Sequence, residues 1–259
     1  MQTVRQTRPS DAPPRGLDWR SHALFLDFDG TLAPLAPTPD EVELAPEVRE
    51  TLRHLIAATG GAVAIVSGRA LDDLAPRLAG LDLAISGSHG LELRHPDGTR
   101  SALAEAVTHL DAPARTLETF ARDHGLRLEH KPGAVALHFR DTPALAAACR
   151  AEVDRAAAGD ATLRALHGNM VSELALAGID KGTALTALCQ AAPFAGRHPV
   201  MAGDDVTDED GFAAAQALGG FGVRIGDAPT VARHRVATIE DFLAWLGQDT
   251  RQETTWNSD

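Results

Sequence analysis

An unbroken apolar run, Ala23-Leu24-Phe25-Leu26, ends in Asp27-Phe28-Asp29-Gly30-Thr31-Leu32, and this junction constrains the fold more than any other stretch. Four consecutive apolar residues suit a strand covered on both faces in a parallel sheet, whereas a half-exposed strand would alternate. Asp27 then sits where the strand stops, at the carboxyl edge of the sheet, where open α/β proteins place their ligand crevice. Two carboxylates two residues apart repel unless a cation or a shared proton relieves them. Gly30 frees a backbone N–H to approach an anion, and Thr31 adds a hydroxyl. Nucleophile, acid/base, metal ligand and phosphate cradle are all open to this turn. Asp-x-Asp-Gly is also an ordinary turn sequence, so the remaining chain has to discriminate.

The same strand-then-polar pattern recurs. Pro46 opens a helix carrying Val48, Leu52, Leu55 and Ile56 on one face, and Gly60-Gly61 stops it. The strand Ala62–Val66 ends in Ser67-Gly68-Arg69 before a helix from Ala70 to Leu78, a geometry that aims a hydroxyl and N–H groups at an anion. A third strand, Leu83–Ser86, leads into Gly87-Ser88-His89-Gly90-Leu91-Glu92. Such repetition predicts a doubly wound, Rossmann-like parallel sheet. Beyond Val107 the periodicity changes: a helix from Pro113 to His124, a hairpin of Leu126–His130 with Ala134–Phe139, a helix from Pro143 to Ala158, and the strand pair Ala161–Leu166 and Met170–Ala175. That order, αββαββ, predicts an α+β module inserted into the α/β one as a cap. The parallel pattern resumes at Lys181, which heads a helix. A short buried strand, Pro199–Ala202, then ends in Gly203-Asp204-Asp205-Val206-Thr207-Asp208-Glu209, before a helix to Leu218. Late strands at Phe221–Ile225 and Val236–Ala237 and a helix at Ile239–Leu246 close the chain. The expected domains are a flexible tail over 1–17, a core over 18–107 and 178–247, the inserted cap over 108–177, and a frayed tail over 248–259.

Composition narrows the partners. With 24 Lys+Arg against 36 Asp+Glu, the 259 residues carry a formal charge of −12, which argues against nucleic acid and anionic membranes. No run approaches the ~18 apolar residues of a membrane span, and Met1 to Arg20 carries no apolar signal stretch. Cys149 and Cys189 have no metal-ligand spacing and read as buried free thiols, as suits a cytoplasmic, reducing setting. The expectation is a cytoplasmic monomer acting on a small molecule.

In a parallel sheet all strands point one way, so Asp27 and Asp29, Ser67, and Asp204 and Asp205 can converge from separate tips. Lys181 would join them from a helix terminus whose dipole does not favour it unless an anion lies between. Four carboxylates in one crevice require a divalent cation, and the all-oxygen donor set selects Mg²⁺ over zinc. A hydroxyl, a lysine and exposed N–H groups suit a phosphoryl group.

These segments, in this order, resemble the haloacid dehalogenase-like phosphatases. The resemblance narrows to trehalose-6-phosphate phosphatases through Ser67-Gly68-Arg69, Gly87-Ser88-His89-Gly90 with Glu92, Lys131 with Ala136-Leu137-His138-Phe139-Arg140, Glu173, Asp180-Lys181-Gly182 and the Gly203–Glu209 stretch. It implies a core of that superfamily with a type C2 cap, and Mg²⁺-dependent hydrolysis of trehalose 6-phosphate through an aspartyl phosphate, the last step of trehalose synthesis. Asp27 would be the nucleophile, Asp29 the acid/base, and Ser67 and Lys181 the remaining catalytic groups. Asp27, Asp29 through its carbonyl, and Asp204 would hold the metal, with Asp205 and Asp208 behind them. Gly30, Thr31, Gly68, Arg69, His89, Glu92, Lys131, His138, Arg140, Asn169 and Glu173 would contact the sugar phosphate. In one place the chain departs from the family, which usually has a lysine where this chain has Asn169. That leaves room for sucrose phosphate or glucosylglycerol phosphate as substrate. A non-catalytic sugar-phosphate sensor is the reading from a different class.

Overall fold

The computed structural model describes residues 12–36, 38–102, 110–168 and 170–251. Contacts along the chain divide these residues into two units: those up to Arg100 together with those from Lys181 onward, and those from Ser101 to Asp180.

The first unit begins with β1 (His22–Leu26), α1 (Pro46–Ala58), β2 (Val63–Val66), α2 (Leu71–Arg77), β3 (Ala84–Gly87) and β4 (Glu92–Arg94), and β5 (Arg100–Ala102) starts at its last residue before the second unit. Its later elements are α5 (Lys181–Leu188), β10 (His198–Gly203), α6 (Asp208–Ala217), β11 (Phe221–Ile225), β12 (His234–Val236) and α7 (Ile239–Arg251). The sheet runs β12-β11-β10-β1-β2-β3-β4-β5. From β12 to β3 all pairs are parallel, while β3 pairs β4 antiparallel. It is a doubly wound, Rossmann-like α/β core. The chain leaves β1 toward β2 and β3 and later returns to β10 on the other side of β1. The switch point where such folds bind ligands therefore lies between β1 and β10.

Both faces of this sheet are covered, which explains the unalternating strands. Leu24 and Leu26, Val63 and Ile65, and Val200 and Ala202 pack with Leu52 and Leu55 of α1, Leu74 of α2 and Phe242 and Leu246 of α7. Ala23 and Phe25, Ala64 and Val66, and Met201 point the other way, onto Leu185 and Leu188 of α5 and Phe212 and Ala215 of α6. Strand β4 was not expected: a three-residue strand of half-buried side chains carries no periodic signal, and the short turn after β3 obliges it to run antiparallel. At the ends, the Trp245 indole N–H donates to the Pro14 carbonyl at 2.9 Å, so the chain is tied to the core before Asp18, and α7 continues past Gly247 to Arg251. Residues 1–11 and 252–259 of the expected tails lie outside the described residues.

The second unit contains α3 (Asp111–His124), β6 (Arg127–Lys131), β7 (Ala134–His138), α4 (Ala146–Ala158), β8 (Leu163–Gly168) and β9 (Val171–Leu176). Its antiparallel sheet runs β6-β7-β9-β8. Gly125 ends α3 at φ 64°, the left-handed cap that glycine supplies at least cost. Buried Leu117 and Ala121 of α3 and Cys149 and Val153 of α4 belong to the helices that pack on this sheet. Cys149 is buried and Cys189 half-buried, and both are free. Among the described residues no helix is long and apolar enough to cross a membrane.

Candidate functional site

Strands β1 and β10 lie side by side in register, Leu26 beside Ala202, and the Asp27 N–H donates to the Ala202 carbonyl at 3.0 Å. One step further on, β1 delivers Asp27 and β10 delivers Gly203-Asp204. Carboxylate oxygens of Asp27, Asp204 and Asp208 all lie within 4.8 Å of one another. Two glycines make room for them. A Cβ on Gly30, held at φ 75°, would fall onto the Asp204 carboxylate, and a Cβ on Gly203 would fall onto that of Asp208.

Lys181, at the first turn of α5, reaches the same point. Its Nζ donates to Asp27 Oδ1 at 2.8 Å and to Asp208 Oδ1 at 2.7 Å, and Asp208 Oδ2 accepts the Asp205 N–H at 2.9 Å. A Cβ on Gly182 would lie 2.5 Å from the Asp210 carbonyl oxygen. Only glycine lets α5 approach α6 closely enough to put Lys181 beside Asp208. A lysine opposed by its own helix dipole is thus held by two buried carboxylates.

The electrostatics are severe. Burial pushes the Asp27 carboxyl well above the ordinary carboxylate range; the Lys181 ammonium opposes the rise, and Asp208 and Asp204 add to it. Asp204 is pushed up to about 6, again by burial first and by Asp208 second. For Lys181 burial works against the charge, but Asp208 and Asp27 outweigh it and hold the ammonium above its usual range. Three carboxylates against one ammonium leave two negative charges when all are ionised. The donors are all oxygen, and the glycine cradles keep them converged. A divalent cation fits this set by charge and by ligand type.

Beside the cluster, Asp29 faces Arg69. The guanidinium donates from Nε to Asp29 Oδ2 at 2.6 Å and from Nη2 to Asp29 Oδ1 at 2.7 Å, and from Nη1 to Asp73 Oδ2 at 2.6 Å. Ser67 follows β2, adjacent to β1, and is buried. Thr31 Oγ1 is buried with no hydrogen-bond partner among the described residues. Ser88 and His89 both adopt left-handed φ, 50° and 56°, which costs non-glycine residues strain. The turn is fastened by Ser88 N–H to the Arg69 carbonyl at 2.8 Å, His89 N–H to the Ser67 carbonyl at 3.0 Å, and Ser88 Oγ to Glu92 Oε2 at 2.8 Å. It lays the His89 ring on Gly68, where a Cβ would meet ring atoms at 2.5 Å.

In the second unit, strand pairing puts three rows with polar side chains on one face of the sheet. Arg127 lies beside His138, and Glu129 beside Ala136 and then Glu173, with Lys131 in the following row. Lys131 Nζ donates to Glu173 Oε2 at 2.8 Å, and the His138 ring meets Glu129 Oε2 at 2.7 Å. The His138 contact lowers the Glu129 carboxyl, against burial, which raises it.

The model of the family described as "Trehalose-phosphatase" matches residues 25–241 of this chain, a span that holds every residue of this candidate site. The chain belongs to the trehalose-phosphatase family. It is 37% identical over 231 residues to the trehalose-6-phosphate phosphatase of Escherichia coli K12, covering 87% of this chain and 85% of that one. It is 39% identical over 233 residues to the probable trehalose-phosphate phosphatase of Sinorhizobium fredii, covering 89% and 87%. Among solved structures, the C-terminal domain of Candida albicans trehalose-6-phosphate phosphatase superposes with TM-score 0.81 at 19% identity over 93% of this chain and 99% of that one, a likeness of fold. Aspergillus fumigatus trehalose-6-phosphate phosphatase does so with TM-score 0.63 at 26% identity over 90% and 93%.

Within this trehalose-phosphatase chain, the structure gathers Asp27, Lys181, Asp204 and Asp208 into one knot and sets Asp29 with Arg69. Asp205 contributes backbone, its N–H to Asp208 and its carbonyl to Arg224 Nη1 at 2.8 Å. Glu92 is turned to the Leu71 N–H, at 3.0 Å, and to Ser88, so its contacts prop the loop that carries His89. Arg140 is exposed, and Asn169 lies outside the described residues. Asp73, Arg127 and Glu129 were not singled out from the sequence. The signal for Asp73 was its i+4 spacing from Arg69, and for Glu129 its cross-strand position near His138.

Proposed function

We propose that the protein is a Mg²⁺-dependent phosphatase that hydrolyses trehalose 6-phosphate to trehalose and phosphate through an aspartyl phosphate on Asp27. The observation that carries this reading is the knot of buried Asp27, Asp208 and Lys181 with half-buried Asp204, whose charge calls for a divalent cation beside a nucleophile. The substrate rests on the family and on the names of the relatives that match.

An Asp27 oxygen attacks phosphorus in line with the sugar oxygen, forming the O–P bond as the ester bond breaks. Asp29 gives its proton to the departing sugar oxygen and then takes one from the water that cleaves the acyl phosphate. Lys181 and Ser67 steady the phosphoryl oxygens, and Thr31, whose buried hydroxyl has no partner among the described residues, has a donor to offer them. Asp27, the Asp29 carbonyl and Asp204 would hold Mg²⁺, which when bound offsets the crowded negative charge of carboxylates and phosphoryl oxygens. Asp208, with one oxygen on Lys181 and the other on the Asp205 N–H, anchors the lysine. The polar face of the second unit, with Lys131, His138 and Glu173, recognises the sugar and acts as the cap.

Phosphate release from a panel of sugar phosphates, with Mg²⁺ and with chelator, tests the reading. Turnover of trehalose 6-phosphate should exceed that of sucrose and glucosylglycerol phosphates, vanish with chelator, and be lost in Asp27→Asn. Measurable release by Asp27→Asn would sink the covalent route, and no release from any ester would favour the sensor.

A further inference from the structure

Resemblance assigns Arg69 to the substrate, while its geometry ties it to Asp29 and Asp73. All three guanidinium nitrogens are engaged inside the first unit: Nε and Nη2 form a two-pronged bond to Asp29 at 2.6 and 2.7 Å, and Nη1 bonds Asp73 at 2.6 Å. The side chain is only 10% exposed and lies 5.7 Å over the Phe28 ring, and the Arg69 backbone N–H donates to Ser67 Oγ at 3.2 Å. Asp73 is itself held by Arg77 Nη1, and Arg77 Nε donates to the Val42 carbonyl at 3.1 Å. A planar fork fixes both the position and the plane of a carboxylate, which an ammonium cannot do. A chain of ion pairs therefore runs from Asp29 through Arg69 and Asp73 to Arg77, anchored on backbone.

We propose that Arg69 is a positioning residue: it sets the orientation of the Asp29 carboxyl for proton transfer to the leaving oxygen, and Asp73 holds Arg69 for that task. This rests on the reading of Asp29 as the acid of a phosphatase. When one Asp29 oxygen carries the proton, the other still accepts from Arg69, so the orientation survives the cycle.

The test exploits leaving groups. A sugar alkoxide needs the proton of Asp29, whereas p-nitrophenolate departs without it, and kcat/KM reports only steps up to that departure. For Arg69→Lys, kcat/KM on trehalose 6-phosphate and on glucose 6-phosphate should fall about 100-fold, within the range for general acid catalysis. On p-nitrophenyl phosphate it should change less than about threefold. Adding Arg69→Lys to Asp29→Asn should cost nothing more on the sugar esters, because the two act as one unit. If Arg69→Lys does not fold, Asp73→Asn should give the same leaving-group pattern at smaller size. Binding of inorganic phosphate, measured by calorimetry, should be unchanged by Arg69→Lys and needs no turnover. Equal losses on sugar and aryl esters, or a tenfold weaker hold on phosphate, would overturn the proposal. Wild-type inactivity on trehalose 6-phosphate with activity on glucose 6-phosphate would instead revise the substrate and leave the Arg69 comparison intact.

Discussion

Gly30 sits at φ 75°, and a methyl group there would fall onto the Asp204 carboxylate. Gly30→Ala therefore combines backbone strain of about 1 kcal/mol with displacement of a cluster carboxylate. Calorimetric titration should find divalent-cation affinity at least tenfold weaker while far-UV dichroism stays unchanged; undiminished affinity would remove Asp204 from the cation site. Lys181 makes the opposite test. Removing its charge in Lys181→Met leaves Asp27 and Asp208 buried without their ammonium, which should cost about 3–5 kcal/mol in cation-free urea unfolding. A midpoint equal to wild type would mean that the cluster is neutralised by other means. The residue identities at this knot were readable because acids directly after buried strands have few structural reasons to be there. Which second acid turns inward was not readable: Asp208 faces Lys181 while Asp205 offers backbone, and that depends on where α6 starts its first turn.

Among the elements, buried strands and glycine-closed helices were the most legible, since β2 is apolar throughout, β1 and β10 are apolar after their opening histidines, and α1 starts at Pro46. The edge strands were the least so, because β4 spans three half-buried residues and is held by pairing rather than by pattern. In the second unit a period of two shows which side chains share a face, but only the register shows that Lys131 meets Glu173 and His138 meets Glu129. If that face recognises sugar, Lys131→Met should raise KM for trehalose 6-phosphate at least tenfold and leave that for p-nitrophenyl phosphate within about twofold, an ordinary loss for one charged hydrogen bond. Parallel losses on both esters would take the face out of substrate selection.

For the molecule as a whole, the crowded carboxyls make stability depend on pH and cation together. Asp204 stands at about 6 in the folded protein, above its ordinary value, and Asp27 is displaced in the same direction. Between the ordinary carboxylate range and pH 6 the unfolded chain has released protons that the native state still holds, so cation-free stability falls as pH rises through this window. For Asp204 alone the loss is on the order of 3 kcal/mol. A bound divalent cation favours the ionised forms and should reverse the trend. Calorimetric melts should therefore show a larger Mg²⁺-induced rise in Tm at pH 7.5 than at pH 5. A rise independent of pH would mean that these carboxyls are not what the cation meets.

By itself the amino-acid order determined that apolar segments ending in acids and a serine would form a parallel sheet with its polar tips on one edge, and that Lys181 would head a helix. Unalternating strands must be covered on both faces, and parallel strands end together. Tertiary structure alone decided the pairings: Arg69 with Asp29, Glu92 with its own loop, Asp208 with Lys181. A side chain's partner depends on the direction in which packing and hydrogen bonding turn it, and no spacing along the chain encodes that direction.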